Sequence, residues 1–209
     1  MSLAAALPAG ASEITFTGGT VTLMDNSTVT TDNDTVYYTV LQYDEDGFRV
    51  SYTDGGIAVG DYYDVGNDVM HTHWAPMNRY GTTEVRVARI DGAAFDLNAF
   101  GLTSNTALSG RPATGDEQVL IHASKDGVHT SYSMMLPPDD WGGTITNIAL
   151  GAEFDNIKAF WFTPENYTDC FGIDNLVMED AAPGQVPEPG SLALFVGAFA
   201  GLAWWRRQR

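Results

Sequence analysis

The chain has 209 residues, with 27 acidic against 10 basic side chains and a formal charge of −17 at neutral pH. That is about one domain's worth of chain, and its 44% of hydrophobic residues suffice to bury a core. The charge repels phosphate backbones and acidic headgroups, which excludes nucleic acid as a partner and peripheral adhesion to an anionic membrane.

Residues 1–11 form the first element. Leu3 to Leu7 has the composition of the end of an apolar signal core, and Ala9-Gly10-Ala11 before Ser12 fits the small-x-small pattern a signal peptidase cleaves. No basic region precedes it, so it reads either as the remnant of a signal peptide or as a flexible lead.

Residues 12–180 read as an all-β domain, an antiparallel β-sandwich. Short stretches rich in Val, Ile, Thr, Tyr and Phe recur about every ten residues, each closed by Gly, Asp or Asn. The expected strands are Glu13 to Phe16, Thr20 to Leu23, Val36 to Tyr43, Phe48 to Tyr52, Val69 to Trp74, Thr83 to Ile90, Phe95 to Gly101, Gln118 to His122, Val128 to Met135, Thr144 to Leu150, Asn156 to Phe162 and Phe171 to Met178. Along Thr83 to Ala88 the alternation places Val85 and Val87 inward and Glu84 and Arg86 outward. From Ile157 to Phe162 both faces turn apolar, so one of them needs a cover. Asp46-Gly47, Asp54-Gly55-Gly56 and Asp91-Gly92 supply the positive-φ residues of tight turns. No fixed-length repeat is present, which excludes a propeller or solenoid.

Chemistry-bearing residues are sparse. Asp44-Glu45-Asp46 and the group Asp61, Asp64, Asn67 and Asp68 lack the ligand order of an EF-hand and read as solvated acidic loops. His71 and His73 lie two apart in a strand, so their imidazoles project to one side and could share a transition metal. A third ligand is missing nearby, and flanking Met70 and Trp74 favour cross-strand packing; His122 and His129 receive the same reading. Cys170 is the single cysteine, which excludes an internal disulfide, and it reads as a small buried hydrophobe. No Gly-x-Ser-x-Gly elbow, His-Glu-x-x-His pair or phosphate loop occurs, so the expectation is a protein that is not an enzyme. Tyr62, Tyr63, Trp74, Tyr80 and Trp141 are the candidates for stacking on sugar rings, with one or two of them expected at the surface.

On the last strand, strict alternation puts Phe171, Ile173, Asn175 and Val177 on one face, and Gly172, Asp174, Leu176 and Met178 on the other. Asp174 thus sits among largely apolar neighbours, where an unpaired charge is costly. Residues 181–189 form a linker containing Pro187-Glu188-Pro189. Residues 190–209 follow as a transmembrane helix with a basic end: an uncharged run to Trp205, then Arg206, Arg207, Gln208 and Arg209. The 16 residues from Gly190 to Trp205 span roughly 24 Å as a helix, against a hydrocarbon core of roughly 30 Å. Snorkelling arginines and interfacial Trp204 and Trp205 cover the difference.

The order Pro187-Glu188-Pro189, apolar run and Arg206-Arg207 resembles the PEP-CTERM sorting signal of exported bacterial proteins. The resemblance implies an exosortase as processing partner, a transient anchor in the inner membrane of a Gram-negative bacterium, and release or attachment at the cell surface or in a biofilm matrix. A second resemblance covers Arg89 to Leu97, Asn156 to Phe162 and Phe171 to Val177, which look like strands of jelly-roll domains similar to carbohydrate-binding modules. It implies a jelly-roll-like sandwich that interacts with exopolysaccharide. It also implies a structural calcium held by Asp174, with Glu13 as partner from the first strand. A polysaccharide hydrolase or lyase on the same fold, and a structural matrix protein without a defined ligand, stay open as alternatives.

Overall fold

The computed structural model describes residues 10–32, 34–62, 68–76, 78–106, 114–139, 145–166 and 168–181. Their strands are β1 (Ala11–Ile14), β2 (Thr20–Thr22), β3 (Thr28–Thr30), β4 (Tyr37–Val40), β5 (Gln42–Glu45), β6 (Phe48–Thr53), β7 (Ile57–Gly60), β8 (Val69–His73), β9 (Glu84–Arg89), β10 (Phe95–Thr106), β11 (Gln118–Ser124), β12 (Tyr132–Met135), β13 (Thr146–Ala149), β14 (Ala159–Asn166) and β15 (Cys170–Asp180). They form two antiparallel sheets, which makes the domain the expected sandwich. The first runs β13-β10-β15-β8-β7-β4, and the second β12-β11-β14-β9-β6-β5-β2-β3. Strand β15 organises the first sheet. Its whole length pairs with β10, while its other edge pairs with β8 from Cys170 to Ile173 and with β1 from Leu176 to Glu179. No helix among the described residues is long and apolar enough to cross a membrane. The segment expected to do so, residues 190–209, lies outside the described residues, as do residues 1–9 and 182–189.

The core forms where the inward faces of the two sheets meet. Val85 and Val87 are buried as their alternation requires, with Glu84 and Arg86 partly exposed. Phenylalanines interlock across the sheets: Phe100 meets Phe162 at 5.4 Å, Phe162 meets Phe171 at 4.9 Å, and Phe48 meets Phe95 edge-on at 5.0 Å between ring centroids. Edge and tilted pairs of this kind add about 1 kcal/mol each beyond the area they bury. The apolar outer face of β14 has its cover. Trp161 is 7% exposed, under the Arg86 guanidinium at 4.9 Å and the stacked His122 ring at 5.6 Å.

Among the described residues the strands depart from the expected pattern at several places, three of which change the reading. The stretch Val36 to Tyr43, which reads as one strand, is two. β4 belongs to the first sheet and β5 to the second, and the chain crosses at Leu41, whose N–H donates to the Thr22 carbonyl at 2.8 Å. The stretch Val128 to Met135 shortens to β12 because Asp126 closes a turn, accepting the N–H groups of Val128 and His129 at 2.8 Å each. His129 therefore sits in a turn, not on a strand beside His122.

The third departure is a β-bulge in β15. Ala99 pairs with Val177 and Gly101 with Asp174, so three steps along β15 face two along β10. Asn175 takes up the extra residue with φ 46°, a left-handed conformation that Asn tolerates better than most side chains. The phase of the strand flips there. Phe171 and Ile173 before the bulge and Leu176 and Met178 after it all join the core, correcting the expected division of faces.

Candidate functional site

A groove of about 650 Å³ opens where β4, β7 and β8 end the first sheet. Three tyrosines shape it. Tyr38 and Tyr80 are 64% and 70% exposed, and the Arg79 guanidinium lies 4.4 Å from the Tyr80 ring centroid. Tyr62 meets Tyr38 edge-on at 6.1 Å and stacks on His71 at 3.8 Å, with the two planes only 13° apart. Of the predicted stacking residues, Tyr62 and Tyr80 line this groove. Trp74 is 0% exposed and packs on Phe171 at 5.1 Å, which removes it from any surface platform. Tyr63 and Trp141 lie outside the described residues.

Behind the tyrosines lies a cluster that local sequence spacing does not show. Met70 on β8 points into the core, so His71 and His73 take the opposite face and line the groove. The antiparallel register sets Cys170 against His73 and Gly172 against His71. Nε2 of His71 lies 3.4 Å from Nε2 of His73 and 3.5 Å from Sγ of Cys170. Among the described residues these three side chains form a group whose ligand atoms all lie within 4.8 Å of one another. Nδ1 of His73 faces Oδ1 of Asp169 at 3.3 Å. Burial, reinforced by His73, holds His71 well below the usual imidazole pKa, so its ring is neutral. The third group missing near His71 and His73 in the chain thus comes from β15. Cys170 is buried as expected, and its sulfur lies against the His71 imidazole.

The acidic residues divide differently from expectation. Asp174 is 0% exposed, and its carboxylate accepts the backbone N–H and the Nδ2 of Asn175 at 2.7 and 2.8 Å. Burial, opposed by the Asn175 hydrogen bond and reinforced by the charges of Glu13, Asp68 and Glu45, pushes its pKa up to about 7. Glu13 is exposed, on β1 opposite Val177. Asp68 is fully buried and Glu45 is half-buried. In Asp68, Oδ2 accepts the Thr17 hydroxyl at 2.9 Å and Oδ1 is without a hydrogen-bond donor among the described residues. Glu45 joins β1's end to β5, accepting the N–H groups of Thr15 and Phe16 at 3.2 and 2.9 Å and the Tyr43 hydroxyl at 2.8 Å. Asp64 and Asn67 lie outside the described residues.

The tail residues Pro187, Glu188, Pro189, Arg206, Arg207 and Arg209 also lie outside the described residues. Residues 185–207 match the family described as the PEP-CTERM protein-sorting motif. No curated protein matches the chain. The motif marks a protein processed by an exosortase and exported to the cell surface or beyond it.

Proposed function

We propose that the exported sandwich is a non-catalytic surface or matrix protein that binds exopolysaccharide through the groove between Tyr38, Tyr62 and Tyr80. The observation that carries this reading is a groove of about 650 Å³ lined by two exposed tyrosines, Tyr38 and Tyr80, together with polar side chains. Sugar rings present C–H faces to aromatic platforms, and Arg79 and Asn78 offer hydrogen bonds to hydroxyls at the same opening. None of the described residues lining the groove is Asp or Glu, which supports binding over glycoside hydrolysis, a reaction that ordinarily needs a pair of carboxyl groups across the bond.

Native electrophoresis through gels cast with the host's exopolysaccharide tests the proposal. The protein is retarded, and Tyr38→Ala with Tyr80→Ala abolishes the retardation without altering the melting temperature. Unchanged wild-type mobility across several glycans would overturn it. In the same reading the precursor is held in the inner membrane of a Gram-negative cell by residues 190–209 and cut near Pro187. A mature mass that retains Pro187 to Arg209 would refute that step. A structural calcium at Asp174, with Glu13 as its partner, belongs to this proposal as well; the full burial of that carboxyl is what asks for a counter-charge.

A further inference from the structure

We propose that His71, His73 and Cys170 form a binding site for a late first-row transition-metal ion, zinc being the simplest occupant. The distances carry the argument. Zinc sits about 2.0–2.1 Å from imidazole nitrogen and about 2.3 Å from thiolate sulfur, so tetrahedral angles place two such nitrogens about 3.4 Å apart and a nitrogen and sulfur about 3.5 Å apart. The two Nε2 atoms are 3.4 Å apart; Sγ of Cys170 is 3.5 Å from Nε2 and 3.7 Å from Nδ1 of His71, so coordination needs the His71 ring to reorient until its Nε2 lone pair faces the ion shared with the sulfur.

The surroundings agree with this geometry. Asp169 faces Nδ1 of His73, where a carboxylate holds the ring proton and turns the Nε2 lone pair toward the cluster. Gly172, opposite His71 in the ladder, brings no side chain into the space that the imidazole needs. One thiolate and two imidazoles select zinc, copper or cobalt over calcium and magnesium, which take oxygen ligands. The site is therefore independent of the calcium assigned to Asp174. Both histidines line the groove, so water or a groove ligand takes the fourth position. On binding, Cys170 gives up its thiol proton to solvent as the sulfur–metal bond forms, one proton per ion.

The test uses the full chain in detergent, stripped with chelator and titrated with Co²⁺ and then Zn²⁺. Cys170 is the single cysteine, so a thiolate-to-cobalt charge-transfer band can arise from no other residue and needs no variant for its assignment. The expected result is one Co²⁺ per chain with tetrahedral d–d bands and that charge-transfer band, displaced by one Zn²⁺. His73→Ala and Asp169→Asn, both near the groove, weaken zinc by at least about tenfold. Cobalt bound with an octahedral spectrum and no charge-transfer band, or no binding at micromolar zinc, would overturn the site. Either result would leave the three side chains as a hydrogen-bonded packing cluster.

Discussion

Replacing Asp174 by Asn should make the protein more stable at alkaline pH, an unusual outcome for a substitution at a fully buried polar residue. Burial and the charges of Glu13, Asp68 and Glu45 raise its pKa to about 7, from 3.8 for the free side chain. The folded state therefore holds the proton more tightly than the unfolded chain. The stability this group contributes is fully present below about pH 4 and is lost as the pH rises through about 7. Three pH units correspond to about 4 kcal/mol. Asn is uncharged and keeps an oxygen for the Asn175 N–H, while the Asn175 amide can turn to receive the new NH₂; one rearranged hydrogen bond costs about 1 kcal/mol. Urea denaturation in chelator should thus show Asp174→Asn more stable than wild type by about 2–3 kcal/mol at pH 8, and no more stable at pH 4. A residual slope remains in the variant, because burial also raises Glu45 and Asp68. A bound calcium holds the carboxylate ionised, so millimolar calcium should stabilise wild type at pH 8 and leave the variant unchanged. A variant that is less stable at pH 8 with the wild-type slope intact would show that Asp174 is ionised and well paired, and would refute the reasoning.

Glu45→Ala strands the Thr15 and Phe16 N–H groups and should cost about 3 kcal/mol by chemical denaturation, whereas Glu45→Gln keeps an acceptor and should cost about 1 kcal/mol. Gly60→Ala should lower stability by about 3 kcal/mol or more, since Gly60 has φ 132° and an added Cβ would run into the Thr35 carbonyl oxygen; a melting curve within a degree of wild type would contradict this. At the bulge, Asn175→Gly should be tolerated within about 1 kcal/mol and Asn175→Val should cost clearly more, because a β-branched residue resists φ 46°. Deleting Asn175 should prevent folding, read as loss of the cooperative transition.

The sandwich was legible because its core strands obey the period of two. From Glu84 to Ala88 on β9 and from Gln118 to Ala123 on β11 the buried residues alternate, and period two is all that a half-buried strand demands of its sequence. The switch at Leu41 was not legible. Tyr37 to Glu45 contains neither Gly nor Pro, and the crossing depends on Thr22 in another strand receiving the Leu41 N–H. The bulge left a trace without an announcement. Asp174-Asn175 offers a left-handed position, but only the partner strand β10 shows that one residue is in excess. A local pattern records which side chains want burial, while register belongs to the pair of strands.

The same reasoning explains why the candidate site was half visible. His71 and His73 declare a shared side through spacing alone, but Cys170 lies 99 residues from His71 and reaches it because β8 and β15 run antiparallel in one register. A one-residue slip of that register would turn Cys170 away from both rings. The core itself sets the register, since Met70 and Ile173 pair across β8 and β15 and both enter it. Slipping the strands to separate the sulfur from the imidazoles would also take Ile173 out of the core. The placement of the three side chains is therefore held by apolar packing on the opposite face of the sheet, which gathers the candidate ligand atoms within 4.8 Å of one another.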